Sequence, residues 1–312
     1  MSEVLVHAIR SGIIESQHLG SVLTVDPAGG TVFAVGATES PLFPRSSNKP
    51  LQLVGMLRAG LELSTPDLAL AAASHSGEQQ HVRRVRDLLL TARLPESALV
   101  CPPSLPIGEE ASAAVLRAGG GPSRAFMNCS GKHVAMLLTC EANGWPTDSY
   151  ADPAHPLQKS IQATIEELAG ETVAATGVDG CGAPLFALSL RGLTSAFRRL
   201  VTAPPGSPER AVADAMRTHP ELVGGTGRDV TRLMSGIPGL LAKDGAEGVY
   251  AAALPDGSAT ALKIDDGASR ARVPVMVREL TRLGVTAEVL DELAEPEIRG
   301  GGRPVGCLRA AY

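Results

Sequence analysis

The sequence predicts an α+β fold, with an antiparallel sheet built from both ends of the chain and a helical region between them. The first forty residues contain short runs of β-branched residues, which are typical of strands. A second hairpin pattern lies at residues 248–264, late in the chain. Helix start and stop signals fill the middle. No internal repeat of roughly 20–50 residues is visible, so we predict a single domain over residues 1–312.

The first elements are three strands and a buried helix. The strands are predicted at residues 4–9, 21–25 and 31–35, and the Pro-Ala-Gly-Gly segment at 27–30 is typical of a hairpin loop. A helix should follow Ser46, with Ser46 or Ser47 as its cap and Pro50 in its first turn. This helix is apolar nearly all round, which indicates burial. Ser46 is therefore expected at the mouth of a central helix.

The remaining elements are mostly helices. Ser130 is expected to cap one helix and Gly144 to end it. A late hairpin is predicted from two strand-like runs, 248–254 and 259–264, around a Pro-Asp-Gly-Ser turn. Helices are predicted near residues 65–73, 78–93, 131–143, 156–169, 184–200, 208–217 and 273–283.

Composition excludes several classes of function. Hydrophobic residues make up 44% of the 312 positions and charged residues 20%, which favours a folded core over disorder. The net charge of −5 gives no basic surface for nucleic acid, and 3% aromatic residues leave few platforms for stacking bases. No apolar run approaches the ~20 residues that span a bilayer. Five cysteines, an odd number, and no visible signal segment lead us to expect the reducing cytoplasm.

The first candidate motif is Ser46-Ser47-Asn48-Lys49. A hydroxyl and an amine one helical turn apart share a face. A lysine can activate a serine only after losing its proton, which burial or a neighbouring cation favours. A capping serine beside a solvated lysine would give the same pattern, and that alternative is open on the motif alone.

Two further motifs place polar groups beside small residues. Ala73-Ser74-His75-Ser76-Gly77 follows an alanine-rich helix, and it is either a loop entering a pocket or a turn in which Ser74 or Ser76 caps the next helix. Lys243-Asp244-Gly245 precedes a predicted strand and is similar to the Lys-Thr-Gly element of serine β-lactamase-type enzymes. The alternative is a lysine that protects a strand edge.

Two cysteine-containing motifs complete the set. These are Asn128-Cys129-Ser130-Gly131-Lys132-His133 and Asp179-Gly180-Cys181. Their thiols, with a histidine or a carboxylate, could form a zinc site or a cysteine–histidine nucleophile pair. From ligand chemistry alone His133 is a better metal ligand than Lys132, because lysine must first lose a proton.

Taken in order, these motifs resemble the bacterial asparaginase family that has a serine β-lactamase-like fold. The resemblance runs over nearly the whole chain and includes Lys263-Ile264-x-Asp266-Gly267. It implies hydrolysis of L-asparagine to L-aspartate and ammonia, with Ser46 as nucleophile and Lys49 as its partner. It also implies a second serine–lysine pair, Ser74 and Lys243.

The same resemblance implies a metal site and a homodimer. Cys129, Lys132 and Cys181 match positions at which such proteins hold zinc, an ion that turnover need not require. Arg45 and Asp179 are the candidates for binding the carboxylate and amine of the substrate. Asp244 replaces the threonine of Lys-Thr-Gly, and no Ser-Asp-Asn element is present, which argues against penicillin recognition.

Two rival functions are carried forward. One is a cysteine-dependent amidase that uses Cys129 and His133. The other is a non-catalytic β-lactamase-like binding protein. Side activity on glutamine is open, because one methylene changes binding by only ~1–3 kcal/mol.

Overall fold

The computed structural model describes residues 2–312 of the chain. The strands are β1 (Glu3–Arg10), β2 (Ile13–Val25), β3 (Thr31–Val35), β4 (Thr176–Val178), β5 (Pro184–Phe186), β6 (Leu241–Asp244), β7 (Val249–Ala253), β8 (Ala259–Ile264), β9 (Glu297–Gly300) and β10 (Arg303–Ala310). The helices are α1 (Lys49–Arg58), α2 (Thr65–Ala71), α3 (Gln79–Thr91), α4 (Glu109–Arg117), α5 (Ser130–Asn143), α6 (Pro156–Ala169), α7 (Leu190–Thr202), α8 (Pro208–Thr218), α9 (Pro220–Val223), α10 (Asp229–Gly236), α11 (Ser269–Arg282) and α12 (Glu288–Ala294). Short 3₁₀ turns cover Arg45–Asn48, Glu96–Ala98 and Arg124–Phe126.

The chain divides into two compact units, each of which is described separately. Unit 1 contains residues 1–47, 188–202 and 232–312, and unit 2 contains residues 48–187 and 203–231. Unit 1 therefore gathers both chain ends, while unit 2 holds most of the helical middle. The organisation as one domain stays a prediction.

Unit 1 is built on an antiparallel sheet. The strand order is β6-β7-β8-β2-β1-β10-β9, and β3 also pairs with β2. The first strands of the chain thus lie between strands from its C-terminal part, with β1 against β10 and β2 against β8. This arrangement confirms the predicted α+β class and the predicted sheet built from both chain ends.

Two helices of unit 1 cover the centre of that sheet. Both α7 and α11 pack against β7 and β8. Every residue of β7 is buried, as are all but one of β8. Because strands covered on both faces have no solvent side, these two strands are mostly apolar and rich in alanine, with Thr260 and Lys263 as the polar residues of β8. The predicted hairpin between them is confirmed, with register Val249↔Lys263 to Ala253↔Ala259.

Unit 2 is a helical assembly around α1. This helix packs against α5, α6 and α8, and α2 packs against α5 and α8. The first eight residues of α1 are all buried, as its nearly uniform apolar sequence predicts. Gly55 allows α6 to approach, since a Cβ there would lie 2.9 Å from the Ile161 Cα. A two-stranded antiparallel pair, β4 with β5, also belongs to this unit.

Some predicted boundaries were wrong for identifiable reasons. Residues 184–186 form β5 rather than the start of a helix, because they pair with Thr176–Val178. The helix begins at Leu190, where the Ser189 hydroxyl accepts a hydrogen bond from the Gly192 N–H at 2.9 Å.

The predicted caps also differ. The N-cap of α1 is Asn48 and that of α5 is Cys129, whereas Ser46 and Ser47 lie within the 3₁₀ turn Arg45–Asn48. Ser130 is the first residue of α5 rather than its cap. Its hydroxyl donates to the Ala125 carbonyl instead. The predicted end of α5 at Gly144 is confirmed, with a left-handed φ of 63°.

Candidate active site

The candidate nucleophile lies in the 3₁₀ turn that leads from unit 1 into α1. Ser46 is half-buried in this turn. The next residue, Ser47, is fully buried, and its hydroxyl donates to the Lys243 carbonyl at 3.1 Å. The turn that carries Ser46 is thereby tied to β6, the strand that carries Lys243. Within unit 1 the fold brings together two segments that the sequence separates by almost two hundred residues.

Arg45, directly before Ser46, has an unusual backbone. Its φ is +52°, a left-handed conformation that residues other than glycine adopt infrequently. Its guanidinium lies 3.6 Å from the Glu247 carboxylate, and Glu247 itself has a φ of +56°. Such conformations persist where surrounding structure enforces them and are common at active sites. The side chain predicted to bind substrate therefore already has an anionic neighbour.

Lys243 is buried completely and is surrounded by polar partners. Its ammonium donates to the Asp244 carboxylate at 2.6 Å and to the Asp244 carbonyl at 2.8 Å. The other carboxylate oxygen of Asp244 accepts from Arg272 at 3.1 Å. The interpretation of Lys243 as a lysine that protects a strand edge is wrong, because its side chain is buried.

In unit 2, Lys49 and Ser74 form a buried hydrogen-bonded pair. Lys49 is the first residue of α1, and its Nζ donates to Ser74 Oγ at 3.0 Å and to the Ala73 carbonyl at 2.5 Å. Lys49 has no exposed surface and Ser74 has 4%. Lysine is almost never buried unless it has partners, so these contacts rule out a solvated lysine.

The segment after Ala73 is a held loop rather than a capping turn. Its backbone is bound on one side by Ser74 N–H to the Val223 carbonyl and by Ser76 N–H to the Gly224 carbonyl. The N-cap of α3 is Glu78, so the alternative in which Ser74 or Ser76 caps this helix is wrong. The Ser76 hydroxyl instead donates to the Gly224 carbonyl at 2.9 Å.

The His75 side chain holds the same loop through hydrogen bonds to Gly77 and Ser130. Its Nδ1 accepts from the Gly77 N–H at 3.1 Å, so the proton is on Nε2, which lies 2.9 Å from Ser130 Oγ. Burial, together with the nearby His81 and Lys49, lowers the pKa of His75 well below its ordinary value. His75 is therefore a neutral donor at physiological pH.

An open cavity of about 740 Å³ in unit 2 begins beside this loop. Glu78 and Arg228 both line it, together with Ser76 and Thr226. The Arg228 guanidinium lies 3.4 Å from the Ser74 carbonyl. A carboxylate and a guanidinium match the two charged groups of a free amino acid. Sequence reasoning gave a role to neither: Glu78 ends the polar motif that contains Ser74, and Arg228 belongs to no motif.

The three predicted metal ligands lie together in unit 2. Lys132 Nζ is 3.2 Å from Cys181 Sγ, and the sulfurs of Cys129 and Cys181 lie within 4.8 Å of each other and of an Asp179 carboxylate oxygen. The thiols and Lys132 are buried, while Asp179 is half-buried. Asp179, predicted to bind the substrate amine, is thus a neighbour of the two cysteines.

The two thiols have opposite electrostatic environments. A hydrogen bond from Cys129, assisted by Lys132, outweighs burial and lowers the pKa of Cys181 far below its ordinary value. The same hydrogen bond, together with burial, raises the pKa of Cys129. Burial alone would lower the pKa of Lys132, but Cys181, Cys129 and Asp179 raise it instead. Of the two thiols, Cys181 is therefore the one that loses its proton more readily.

His133 has a different partner from the one a cysteine nucleophile requires. Its Nδ1 is 2.7 Å from the Tyr150 hydroxyl, which accepts from the Val100 N–H. His133 Nδ1 and the Tyr150 hydroxyl thus share one hydrogen bond, and Cys181 lies close to the same ring. His133 is therefore paired with Tyr150 rather than with Cys129.

Comparison with known proteins gives one clear result. The model of the family described as L-asparaginase II matches residues 6–310. No protein of curated function matches the sequence significantly. Among solved structures, the chain is similar to EstCE1, a hydrolase with promiscuous acyltransferase activity, at 12% identity and a TM-score of 0.43. That match covers 88% of this chain and 93% of EstCE1, but a similarity this low carries no argument about fold or mechanism. In the part of the chain that the structure describes, no helix has the length and apolar character to cross a membrane.

Proposed function

The chain belongs to the L-asparaginase II family and is an L-asparaginase, and from that premise we propose that it hydrolyses asparagine through an acyl-enzyme on Ser46. Lys49, three residues after Ser46, is buried, and its Nζ donates to Ser74 Oγ. This observation carries the proposal. Burying a lysine is costly unless its amine has hydrogen-bond partners, and here the Ser74 hydroxyl is one of them. Asparagine is the substrate, and aspartate and ammonia are the products.

The first half-reaction forms an ester. Ser46 Oγ attacks the side-chain amide carbon of asparagine while its proton passes to Lys49 in its neutral form. The tetrahedral intermediate collapses, the carbon–nitrogen bond breaks, and the proton goes to the leaving nitrogen as ammonia departs. The product is a β-aspartyl ester on Ser46. Water then adds to this ester and releases aspartate, with the proton returning to Ser46.

Ser74 and Lys243 are proposed to manage protons around this pair. Ser74 accepts a hydrogen bond from Lys49, so it is suited to relaying a proton to or from that amine. Lys243 is tied to the Ser46 turn through the Ser47 hydroxyl. Cationic neighbours disfavour protonation of a lysine, which is how a second lysine would help to keep Lys49 neutral. Direct pairing of Ser74 with Lys243 stays a prediction.

The tetrahedral oxyanion needs hydrogen-bond donors. Each such donor is worth about 3–4 kcal/mol in the transition state. The Ser46 N–H, in the 3₁₀ turn before α1, is one candidate, and an N–H after Lys243 is a second by resemblance. For the substrate's charged groups, Arg45 and Asp179 are the original candidates, and Arg228 and Glu78 are added because they line a cavity beside Ser74.

The donors near Asp179 fit a zinc ion. Two sulfurs are soft ligands that suit zinc, and the carboxylate oxygen that lies within 4.8 Å of them is of a type that zinc also binds. Cys129, Cys181 and Lys132 would hold the ion, with Asp179 as a further candidate. When bound, zinc would supply Lewis-acid polarisation of a group in its open position. His133, whose buried Nε2 has no hydrogen-bond partner among residues 2–312, is the alternative to Lys132.

A cysteine-dependent amidase is less well supported. The raised pKa of Cys129 keeps it a thiol, which is a poor nucleophile. Nδ1 of His133 is hydrogen-bonded to Tyr150 rather than to Cys129. A non-catalytic role conflicts with membership of the L-asparaginase II family.

The serine β-lactamase-like fold, the homodimer and the cytoplasmic location are part of the same proposal. The antiparallel sheet built from both chain ends supports the fold. The homodimer rests on the family resemblance. The free cysteines, several of them buried, support a reducing compartment.

The proposal is tested by measuring ammonia release from asparagine and from glutamine. Hydrolysis of a penicillin-type substrate is measured in parallel. We expect turnover of asparagine by the wild type and a loss of at least ~10³-fold in Ser46→Ala. Ser40→Ala, an exposed serine in the preceding loop, is the matched control and should keep wild-type turnover. Ser46→Ala turnover within about threefold of wild type would refute the serine mechanism, and loss of activity on treatment with iodoacetamide would favour the cysteine amidase.

A further inference from the structure

The buried contacts around Lys243 extend beyond the residues that the mechanism uses. We propose that Asp244 and Arg272 are positioning residues that hold the Lys243 amine in place and set how readily it exchanges a proton. This inference rests on the proposed role of Lys243 in the Ser46 mechanism. Neither residue belongs to that mechanism, and in the sequence Asp244 appears only as a departure from Lys-Thr-Gly.

Asp244 bridges Lys243 and Arg272. Asp244 uses one carboxylate oxygen for Lys243 Nζ at 2.6 Å and the other for Arg272 Nη2 at 3.1 Å. All three residues are buried, with exposures of 0%, 4% and 9% in chain order. The Arg272 guanidinium also lies 5.6 Å from the ring centroid of Tyr250 in β7. A charged group this deeply buried needs such partners, and here the partners are shared.

The backbone of residues 243–245 is fixed by contacts on two sides. Arg272 Nη1 donates to the Gly245 carbonyl at 2.9 Å, and Ser47 donates to the Lys243 carbonyl at 3.1 Å. A Cβ at Gly245 would lie 2.7 Å from the Pro44 carbonyl oxygen, so only glycine fits there. Residues 243–245 are therefore held by Arg272 of α11 and by the turn that carries Ser46.

The charges of Asp244 and Arg272 act on the Lys243 amine. Within unit 1, the titratable and charged side chains around the Lys243 amine include Asp244 on the lysine's own strand, Arg272 from α11 and the Tyr250 phenol from β7. Arg272 keeps its proton at all working pH values. By binding the second oxygen of Asp244, Arg272 weakens the attraction between that carboxylate and Lys243. It also adds a positive charge nearby, and both effects favour the neutral amine of Lys243. Asp244 acts in the opposite sense, because an anion favours the ammonium. The two residues thus oppose each other.

This opposition gives a test that a purely structural role would not pass. The pH dependence of kcat for asparagine is measured for the wild type, Arg272→Met and Asp244→Asn. Because the mechanism uses the Lys243 cation to keep Lys49 neutral, the falling limb, at which Lys243 loses its proton, should move to higher pH in Arg272→Met and to lower pH in Asp244→Asn, by about 1–3 units in each case. Arg272→Lys, which keeps the charge, should stay within about half a unit of the wild type. KM should change less than kcat, because neither side chain is assigned to the substrate.

A double variant protects the test against misfolding of one single variant. In Arg272→Met/Asp244→Asn both charges are gone, so the limb should return toward its wild-type position. Circular dichroism and the thermal midpoint confirm that each variant is folded. A limb that does not move in any folded variant, or that moves the same way in Arg272→Met and Asp244→Asn, would overturn the inference.

Lys243→Met separates this inference from the proposed function. Loss of turnover in Lys243→Met with an unmoved limb in the other variants would refute the positioning role alone. Wild-type turnover in Lys243→Met would remove Lys243 from the mechanism, and the positioning role with it.

Discussion

Replacing Lys49 by methionine removes the buried ammonium that binds Ser74 while keeping a flexible chain of similar length in α1. Two hydrogen bonds are lost, to Ser74 Oγ and to the Ala73 carbonyl. A buried carbonyl left without a partner costs ~1–3 kcal/mol, and removing a buried charge offsets part of that. The free energy of unfolding should therefore fall by no more than about 3 kcal/mol. A domain with ~5–15 kcal/mol of stability would remain folded.

The effect on catalysis should be larger than the effect on stability. A general base contributes roughly 10²–10⁴-fold to turnover, which corresponds to about 3–5 kcal/mol of activation free energy. We expect kcat of Lys49→Met to fall by that factor, measured as ammonia released at saturating asparagine, while urea denaturation shows a folded protein.

The matched control lies one turn further along the same helix. Gln52 is also buried in α1, and its side-chain carbonyl has no hydrogen-bond partner in the described part of the chain, residues 2–312. Gln52→Met should keep kcat within about threefold of the wild type, because it changes packing near Lys49 without removing the amine. A folded Lys49→Met enzyme that turns over asparagine as fast as Gln52→Met would refute the role of Lys49.

Three further predictions concern the metal site and the packing of α5. Mass spectrometry under native conditions should find about one zinc per chain in the wild type and a clear loss in Cys129→Ser and in Cys181→Ser; equal zinc content in all three would exclude the site. Zinc affinity should rise with pH and binding should release protons, because the raised pKa of Cys129 keeps a proton that the metal must displace; calorimetry in two buffers of different ionisation enthalpy measures this, and a pH-independent affinity would contradict it. Gly131→Ala should destabilise the protein by ~1–3 kcal/mol in urea denaturation, since its Cβ would collide with the Leu70 carbonyl of α2, whereas Gly121→Ala, with open space around it, should be near neutral; equal stability of the two variants would show that α2 and α5 are less closely packed than described.

Strands β1, β3, β7 and β8 and the second half of β2 could be predicted because their signals are local, whereas β6, β9 and β10 were missed. Runs of β-branched residues and a Pro-Asp-Gly-Ser turn need no information from elsewhere in the chain. The start of α7 was missed because Pro184 is also typical of a first helical turn. Only pairing with β4, which depends on tertiary structure, makes residues 184–186 a strand. Ser189 was the available signal, since a serine directly before an apolar helical run is a common cap.

The candidate site was predictable only as far as motifs reach. Ser46 and Lys49 stood out by their one-turn spacing at the start of an apolar helix, and Ser74 by the alanines before it. The structure joins Lys49 to Ser74. The contact of Asp244 with Arg272, which are 28 residues apart, depends on how α11 packs on the sheet. No short-range pattern encodes that contact.

Trapping the covalent intermediate tests the central claim most directly. Enzyme turning over saturating asparagine is quenched in acid, digested, and its peptides are analysed by mass spectrometry with fragmentation. The mechanism predicts a β-aspartyl group on the peptide that contains Ser46, located on that serine and absent from the Ser46→Ala enzyme. The same group found on the peptide that contains Cys129, with Ser46 unmodified, would contradict it.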